Sequence, residues 1–157
     1  MKKKCKIGDK IPEFKIPLSN GNFLETKNLK GKKYILYFYP KDNTPGCTNQ
    51  AKDFSVKISE LEKLNTQVIW ISKDSIETHN KFINKHALKI LLGSDEEGKV
   101  LEKFGVWVEK NMYGRKYMGI ERTTFLISET TKIEFIWEKV KVKGHVEEVI
   151  NRIKSAN

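Results

Sequence analysis

The longest unbroken apolar stretch of the chain is Tyr34 to Tyr39. A β-branched and aromatic run of that length fits a central strand covered on both faces, and Pro40 ends it. Upstream, Ile11, Phe14 and Ile16 lead into an Asn20-Gly21 turn signal, which predicts a short N-terminal hairpin. Downstream, Thr44-Pro45-Gly46 turns the chain into a segment where Ala51, Phe54, Ile58, Leu61 and Leu64 are spaced for one face of a helix. Val68 to Ile71 predicts the next strand. Asp74 followed by Glu77 has the form of a capping box and opens a helix through about His86. Leu88 to Leu92 then predicts a third strand. Asp95 opens a short helix with Val100, Leu101 and Phe104 inward and Gly105 as its stop. Thr123 to Ile127 and Ile133 to Trp137 flank a polar turn, the pattern of an antiparallel hairpin. Val146, Val149, Ile150 and Ile153 form the stripe of a final amphipathic helix.

Strands alternating with helices, closed by a hairpin, indicate an α/β fold: a mixed central sheet with helices on both faces. At 157 residues this is one domain, 1–157. A chain of that size buries about 70% of its unfolded surface and needs no disulfide or metal staple. An apolar content of 38%, with four prolines and ten glycines, excludes a collagen-like or wholly disordered chain. The Tyr34–Tyr39 run is too short to cross a bilayer, so no membrane partner is expected.

Charge adds one asymmetry. The net charge is +10, and residues 1–41 hold +8 of it through eleven lysines. Only Arg115, Arg122 and Arg152 are arginines, the type suited to bidentate phosphate contacts. The scattered lysines therefore read as a solvated face, and no nucleic acid partner is expected. Lys2, Lys3 and Lys4 resemble the start of a signal peptide. Cys5, Lys6, Gly8, Asp9 and Lys10 follow where an apolar stretch is required, so the expected location is cytoplasmic.

Two cysteines, Cys5 and Cys47, cannot build a disulfide framework or fill a zinc site alone. Cys47 stands apart by its context. Pro40-Lys-Asp-Asn-Thr44-Pro-Gly-Cys47 joins a buried strand to a helix, the junction at which sites form in open α/β sheets. In the first helical turn, unpaired N–H groups and the helix dipole favour a thiolate. The Thr44 hydroxyl can donate to the sulfur or to an incoming oxygen, and Pro40 and Pro45 stiffen the loop. An ordinary thiol of pKa about 8.5 is about 3% ionised at pH 7, and lowering it to about 6 takes about 3.4 kcal/mol. A helix terminus supplies about 0.3–1 kcal/mol, and about 2 at best. A fixed cation is required. Arg122, just before the strand at Thr123, is the best placed, provided that strand lies beside the Tyr34 strand.

With these residues in view, the chain resembles the peroxiredoxins, specifically the bacterioferritin comigratory protein (Q-type) subfamily. The likeness begins in Tyr37-Phe-Tyr-Pro40-Lys-Asp-Asn-Thr44-Pro-Gly-Cys47-Thr. It continues through Ser72-Lys-Asp-Ser75, His79-Asn-Lys-Phe82, Leu92-Gly-Ser-Asp95, Gly105-Val-Trp107 and Gly119-Ile-Glu-Arg122-Thr-Thr-Phe125-Leu. The resemblance implies a thioredoxin fold and a thiol peroxidase that reduces hydrogen peroxide and organic hydroperoxides in antioxidant defence. By it, Cys47 matches the peroxidatic cysteine that becomes a sulfenic acid, Thr44 and Pro40 match the surrounding loop, and Arg122 matches the arginine that holds the thiolate. It implies no bound cofactor or metal, only an external thiol reductant such as thioredoxin, glutaredoxin or glutathione. It also implies a monomer, with a homodimer as the alternative.

The sequence departs from the subfamily pattern in its second thiol. Many members carry a cysteine five positions after the first, here Lys52; the other position used falls near Ile83 and Asn84. Cys5 is the remaining thiol, and it is left open as a resolving residue, an interchain partner or an unreactive residue. The simplest reading is a one-cysteine enzyme. Gln50 stands where an acidic residue is often found, which keeps a polar partner near Arg122 and removes a charge.

The remaining features are read plainly. His79 and His86 lie seven apart on one helix face but lack a third metal ligand, so both are read as surface or core histidines. Trp107, Met112, Tyr113, Tyr117 and Met118 are expected to pack under a loop, with an apolar rim beside the site or a partner surface as the alternative, and Arg115 and Arg152 to be surface residues. A redox-regulated binding module or chaperone is the competing class. A thiol–disulfide oxidoreductase is disfavoured because Cys47-Thr-Asn-Gln50 lacks the second cysteine of a Cys-x-x-Cys pair.

Overall fold

The computed structural model describes residues 5–141 and 143–155, and the Lys2–Lys4 triplet lies outside that range. The N-terminal hairpin forms as expected: β1 (Lys15–Pro17) pairs antiparallel with β2 (Phe23–Glu25). Gly21 takes the left-handed φ of +87° that its turn demands. After β3 (Lys33–Phe38), the single helix read from the apolar stripe is in fact two, α1 (Pro45–Val56) and α2 (Ile58–Lys63). Lys57 leaves helical geometry at ψ 4° and breaks it. The apolar spacing carries across the break because both pieces face the same core.

The chain continues through β4 (Thr66–Ser72), α3 (Ile76–His86), β5 (Leu91–Ser94), α4 (Lys99–Lys103), β6 (Trp107–Met112) and β7 (Arg115–Ile120). It ends in β8 (Thr123–Ile127), β9 (Ile133–Trp137) and α5 (His145–Ser155). Three boundaries differ from expectation. The N-cap of α3 is Ser75, whose hydroxyl accepts from the Thr78 N–H, while Asp74 turns back to the Ser72 hydroxyl. β5 begins three residues late and runs through Gly93, where a Cβ would lie 2.6 Å from Ile16 Cδ1 of β1. Asp95 precedes α4 rather than starting it, and its carboxylate accepts from the Leu101 N–H at 2.8 Å. Gly105, with φ +73°, ends that helix as expected.

The central sheet has the order β5-β4-β3-β8-β9, with β3, β4 and β5 parallel and β8 and β9 antiparallel to their neighbours. Alternation along β3 divides the interior. Tyr34, Leu36 and Phe38 face a core closed by the N-terminal hairpin and α4. Ile35, Tyr37 and Tyr39 face a second core closed by α1, α2, α3 and α5. The β3–β8 register places Tyr37 opposite Thr124 and Phe38 opposite Thr123. The start of β8 thus lies beside the end of β3, the arrangement that Arg122 needs to reach the Cys47 loop.

One hairpin was not foreseen. β6 and β7 pair through a two-residue Tyr113-Gly114 turn, both at positive φ, forming a two-stranded sheet of their own. Met112, Tyr113, Tyr117 and Met118 on it are exposed rather than packed under a loop, while at its base Trp107 is partly buried and Ile120 buried against the core. Among the described residues, no helix is long and apolar enough to cross a membrane.

Candidate active site

β3 delivers the chain to its C-terminal end, where Tyr39 is buried and Pro40 is exposed. Thr44, with extended backbone, is the N-cap of α1, and Pro45 takes the first helical position, where its missing N–H costs nothing. The first helical acceptor, Thr44 O, is taken by Thr48 N at 2.8 Å. The Gly46 and Cys47 N–H groups come before it, at the positive end of the helix. Cys47 is fully buried in this turn. The Thr44 hydroxyl does not turn to the sulfur; it rests on Lys41 O at a long 3.4 Å.

Arg122 arrives from the start of β8. Its Nη1 donates to the Tyr37 hydroxyl at 3.0 Å, and that hydroxyl donates in turn to Gln50 Oε1 at 2.5 Å. Burial opposes the charge on Arg122, but the neighbouring Tyr37 oxygen and Cys47 sulfur outweigh it and raise the guanidinium's pKa. Desolvation likewise pushes the Tyr37 phenol well above its usual range, against the pull of Arg122, so the hydroxyl keeps its proton and its donor direction. The relation expected between Gln50 and Arg122 therefore runs through Tyr37. Cys47 and Gln50 are one turn apart on the buried face of α1, so the sulfur, the guanidinium, the phenol and the amide share one pocket. Trp70, Phe54 and His145 pack around the Tyr37 ring and exclude water from that side.

The loop between Tyr39 and Thr44 is held by a second set of polar groups. The Tyr39 hydroxyl donates to Asp42, and Asp42 Oδ2 lies 2.7 Å from His79 Nδ1. His79 Nε2 is 2.9 Å from Gly93 O. Asp42, Asp74 and His79 bring one ligand atom each within 4.8 Å of one another. Those atoms are already engaged in hydrogen bonds to one another and to Ser72 and Gly93, so the group is a polar network of the interior. His79 is a core histidine, as one of the two expected readings had it, and His86 lies nearer the surface.

Both the sequence and the fold match known proteins along nearly the whole chain. Residues 7–136 fit the model of the AhpC/TSA family. A relative from Coxiella burnetii is 51% identical over 147 residues, covering 94% of this chain and 97% of its own. Peroxiredoxin Bcp of Bacillus subtilis is 45% identical over 148 residues, covering 94% of each chain. The crystal structure of a cysteine-to-serine mutant of PrxQ from Xylella fastidiosa superposes with a TM-score of 0.92 at 35% identity, covering 98% of both chains. This chain belongs to the peroxiredoxins. Within them it falls in the Bcp or Q-type group, with their thioredoxin fold, and it is a thiol-dependent peroxidase.

In this peroxiredoxin the second cysteine is far from the first in the architecture. Cys5 packs against the core on the opposite face of the sheet, with its S–H directed to Lys103 O at 3.5 Å. The sheet stands between the two sulfurs, and bridging them takes more than a side-chain rotation. Lys52 is exposed on α1, Ile83 is half-buried and Asn84 is exposed on α3. Arg115 and Arg152 are exposed as expected, Arg152 lying over the Phe135 ring at 4.5 Å.

The sequence assigns no role at the site to Tyr37, Asp42 or His79. In the sequence Tyr37 reads as strand core. A signal was present: two tyrosines two apart in an apolar strand share a face, and each buried hydroxyl needs a partner.

Proposed function

We propose that this peroxiredoxin reduces hydrogen peroxide and organic hydroperoxides with Cys47 as its peroxidatic residue, in a one-cysteine cycle. The Cys47 thiolate attacks the terminal oxygen of the hydroperoxide and the O–O bond breaks. The departing oxygen takes a proton and leaves as water or an alcohol, and Cys47 becomes a sulfenic acid. One external thiol displaces water from the sulfenic acid to form a mixed disulfide. A second thiol releases reduced Cys47 and leaves with the first as a disulfide. Arg122 and the Gly46 and Cys47 N–H groups stabilise the charge that spreads over the two oxygens in the transition state. Thr44 contributes once its hydroxyl leaves Lys41 O, and Pro40 shapes the rim. No cofactor takes part in these steps, and thioredoxin, glutaredoxin or glutathione are the reductants this scheme fits.

The observation that carries the reading is that Arg122, held on the Tyr37 hydroxyl, lies near enough to Cys47 for the sulfur to help raise the guanidinium's pKa, while Cys5 packs on the other face of the sheet. Cys47→Ser is expected to abolish peroxide consumption with dithiothreitol as reductant. Intact mass and non-reducing electrophoresis after one equivalent of peroxide are expected to show a monomer heavier by one oxygen. A Cys5–Cys47 disulfide, within or between chains, would overturn the one-cysteine cycle.

A further inference from the structure

Both histidines of α3 reach the loop that carries Cys47, and the peroxide chemistry uses neither. His79 is fully buried. Its Nε2 faces the Gly93 carbonyl of β5 at 2.9 Å, and a carbonyl only accepts, so Nε2 carries a proton and donates it. Its Nδ1 lies 2.7 Å from a carboxylate oxygen of Asp42. Asp42 also accepts from the Tyr39 hydroxyl, and its N–H donates to Asp74 Oδ2 at 2.8 Å, an oxygen that Ser72 Oγ holds at 2.7 Å. One residue further, Asn43 stands at φ +62° and its side-chain oxygen lies 3.0 Å from His86 Nε2. Of residues 40–46, Asp42 alone is buried.

An exposed strand-to-helix loop tied down at one buried carboxylate has its geometry set by whatever holds that carboxylate. The holder here is rigid, because His79 is fixed from behind by a backbone carbonyl of the central sheet.

We propose that His79 is a positioning residue for the peroxidase reaction: through Asp42 it locks the Pro40–Gly46 loop and so keeps Cys47 seated beside Arg122. The proposal rests on the reading of Cys47 as peroxidatic. Two demands on the loop conflict, which gives the lock its function. A hydroperoxide needs sulfur, arginine and N–H groups assembled together. A reducing thiol needs the sulfur of a fully buried residue to come out, so the first turn of α1 must yield. A loop released from His79 loses the first and gains the second.

The test separates the half-reactions in the full-length protein. Single-turnover oxidation by hydrogen peroxide and re-reduction by dithiothreitol are measured for His79→Leu, Asp42→Asn and His79→Asn, with amide hydrogen exchange followed in each. His79→Leu and Asp42→Asn are expected to oxidise about tenfold more slowly or worse, as small misplacements in a preorganised site do, and to be reduced at least as fast as the parent. Amides 42–48 should lose protection while those of β4 keep theirs. His79→Asn, which can present an amide N–H toward Asp42, should recover most of the oxidation rate. Equal slowing of both half-reactions, unchanged oxidation, or no rescue by asparagine overturns the proposal. Should His79→Leu fail to fold, Tyr39→Phe asks the same question by removing a hydrogen bond to Asp42 from the other side. If the parent Cys47 does not react with peroxide, the peroxidatic reading fails, and the exchange data still decide whether His79 locks the loop.

Discussion

Cys5 and Cys47 lie on opposite faces of the same sheet, and their surroundings differ in kind. Cys5 is half-buried beside α4, next to a carbonyl oxygen. Burial raises its pKa, and the negative charge of Asp9 adds to the rise. Cys47 is buried completely, yet it sits at the positive end of α1 against a guanidinium. Both sulfurs are withdrawn from water, so exposure does not tell the two positions apart. The compensating charge does.

Removing that charge makes the largest test short of deleting the sulfur. Arg122→Met is expected to slow oxidation of Cys47 by about 10²–10³-fold, the usual cost of a lost transition-state donor. Retention of the rate within about threefold would mean that the helix terminus suffices alone.

The Cys47 face also carries an acid-sensitive group. His145, buried on the Cys47 face with Nε2 2.7 Å from the Thr124 hydroxyl, has its pKa pushed down to about 4 by desolvation. Above pH 6.5 it is neutral in both folded and unfolded chains. As the pH falls from about 6.5 to about 4, the unfolded chain takes up a proton that the folded one refuses, so stability drops, by about 3 kcal/mol in all. Denaturant titrations between pH 7 and pH 4 should show this loss in the parent and a flatter profile in His145→Gln.

Next in size is Tyr37→Phe. It leaves the Arg122 charge in place but removes the bridge to Gln50, and is expected to slow oxidation about tenfold and to lower stability by about 1–3 kcal/mol. Parent-like stopped-flow oxidation in this variant would reduce Tyr37 to packing. The smallest effect is expected from Cys5→Ala, with dithiothreitol-supported turnover within about twofold of the parent, as for independent sites. A collapse of turnover would erase the contrast between the faces.

Much of this was legible in the residues. The apolar runs named every strand of the central sheet, with β5 misplaced by a few residues because Gly93 and Ser94 carry no strand signature. The helix starting near Cys47 and the terminal helix followed from their stripes. Of the polar groups around the site, Cys47 and Arg122 could be named because each lies at the boundary of a recognisable element. Tyr37 could not, since an apolar run shows that a strand is buried but not which hydroxyl meets which arginine. The β6–β7 hairpin was hidden for the opposite reason: its strands are mostly exposed and carry little apolar pattern, and its turn begins with a tyrosine at φ +53°.

Local chemistry by itself determined the order of elements, the cysteine at a helix start and the need for a cation beside it. These depend on spacings of a few residues, which periodicity and turn propensity report directly. Only the tertiary structure decided that Cys5 stands behind the sheet, that Tyr37 bridges Arg122 to Gln50, and that His79 reaches Asp42 across 37 positions. Those meetings depend on strand order and register, which are set by how all the elements pack together and are written in no single segment.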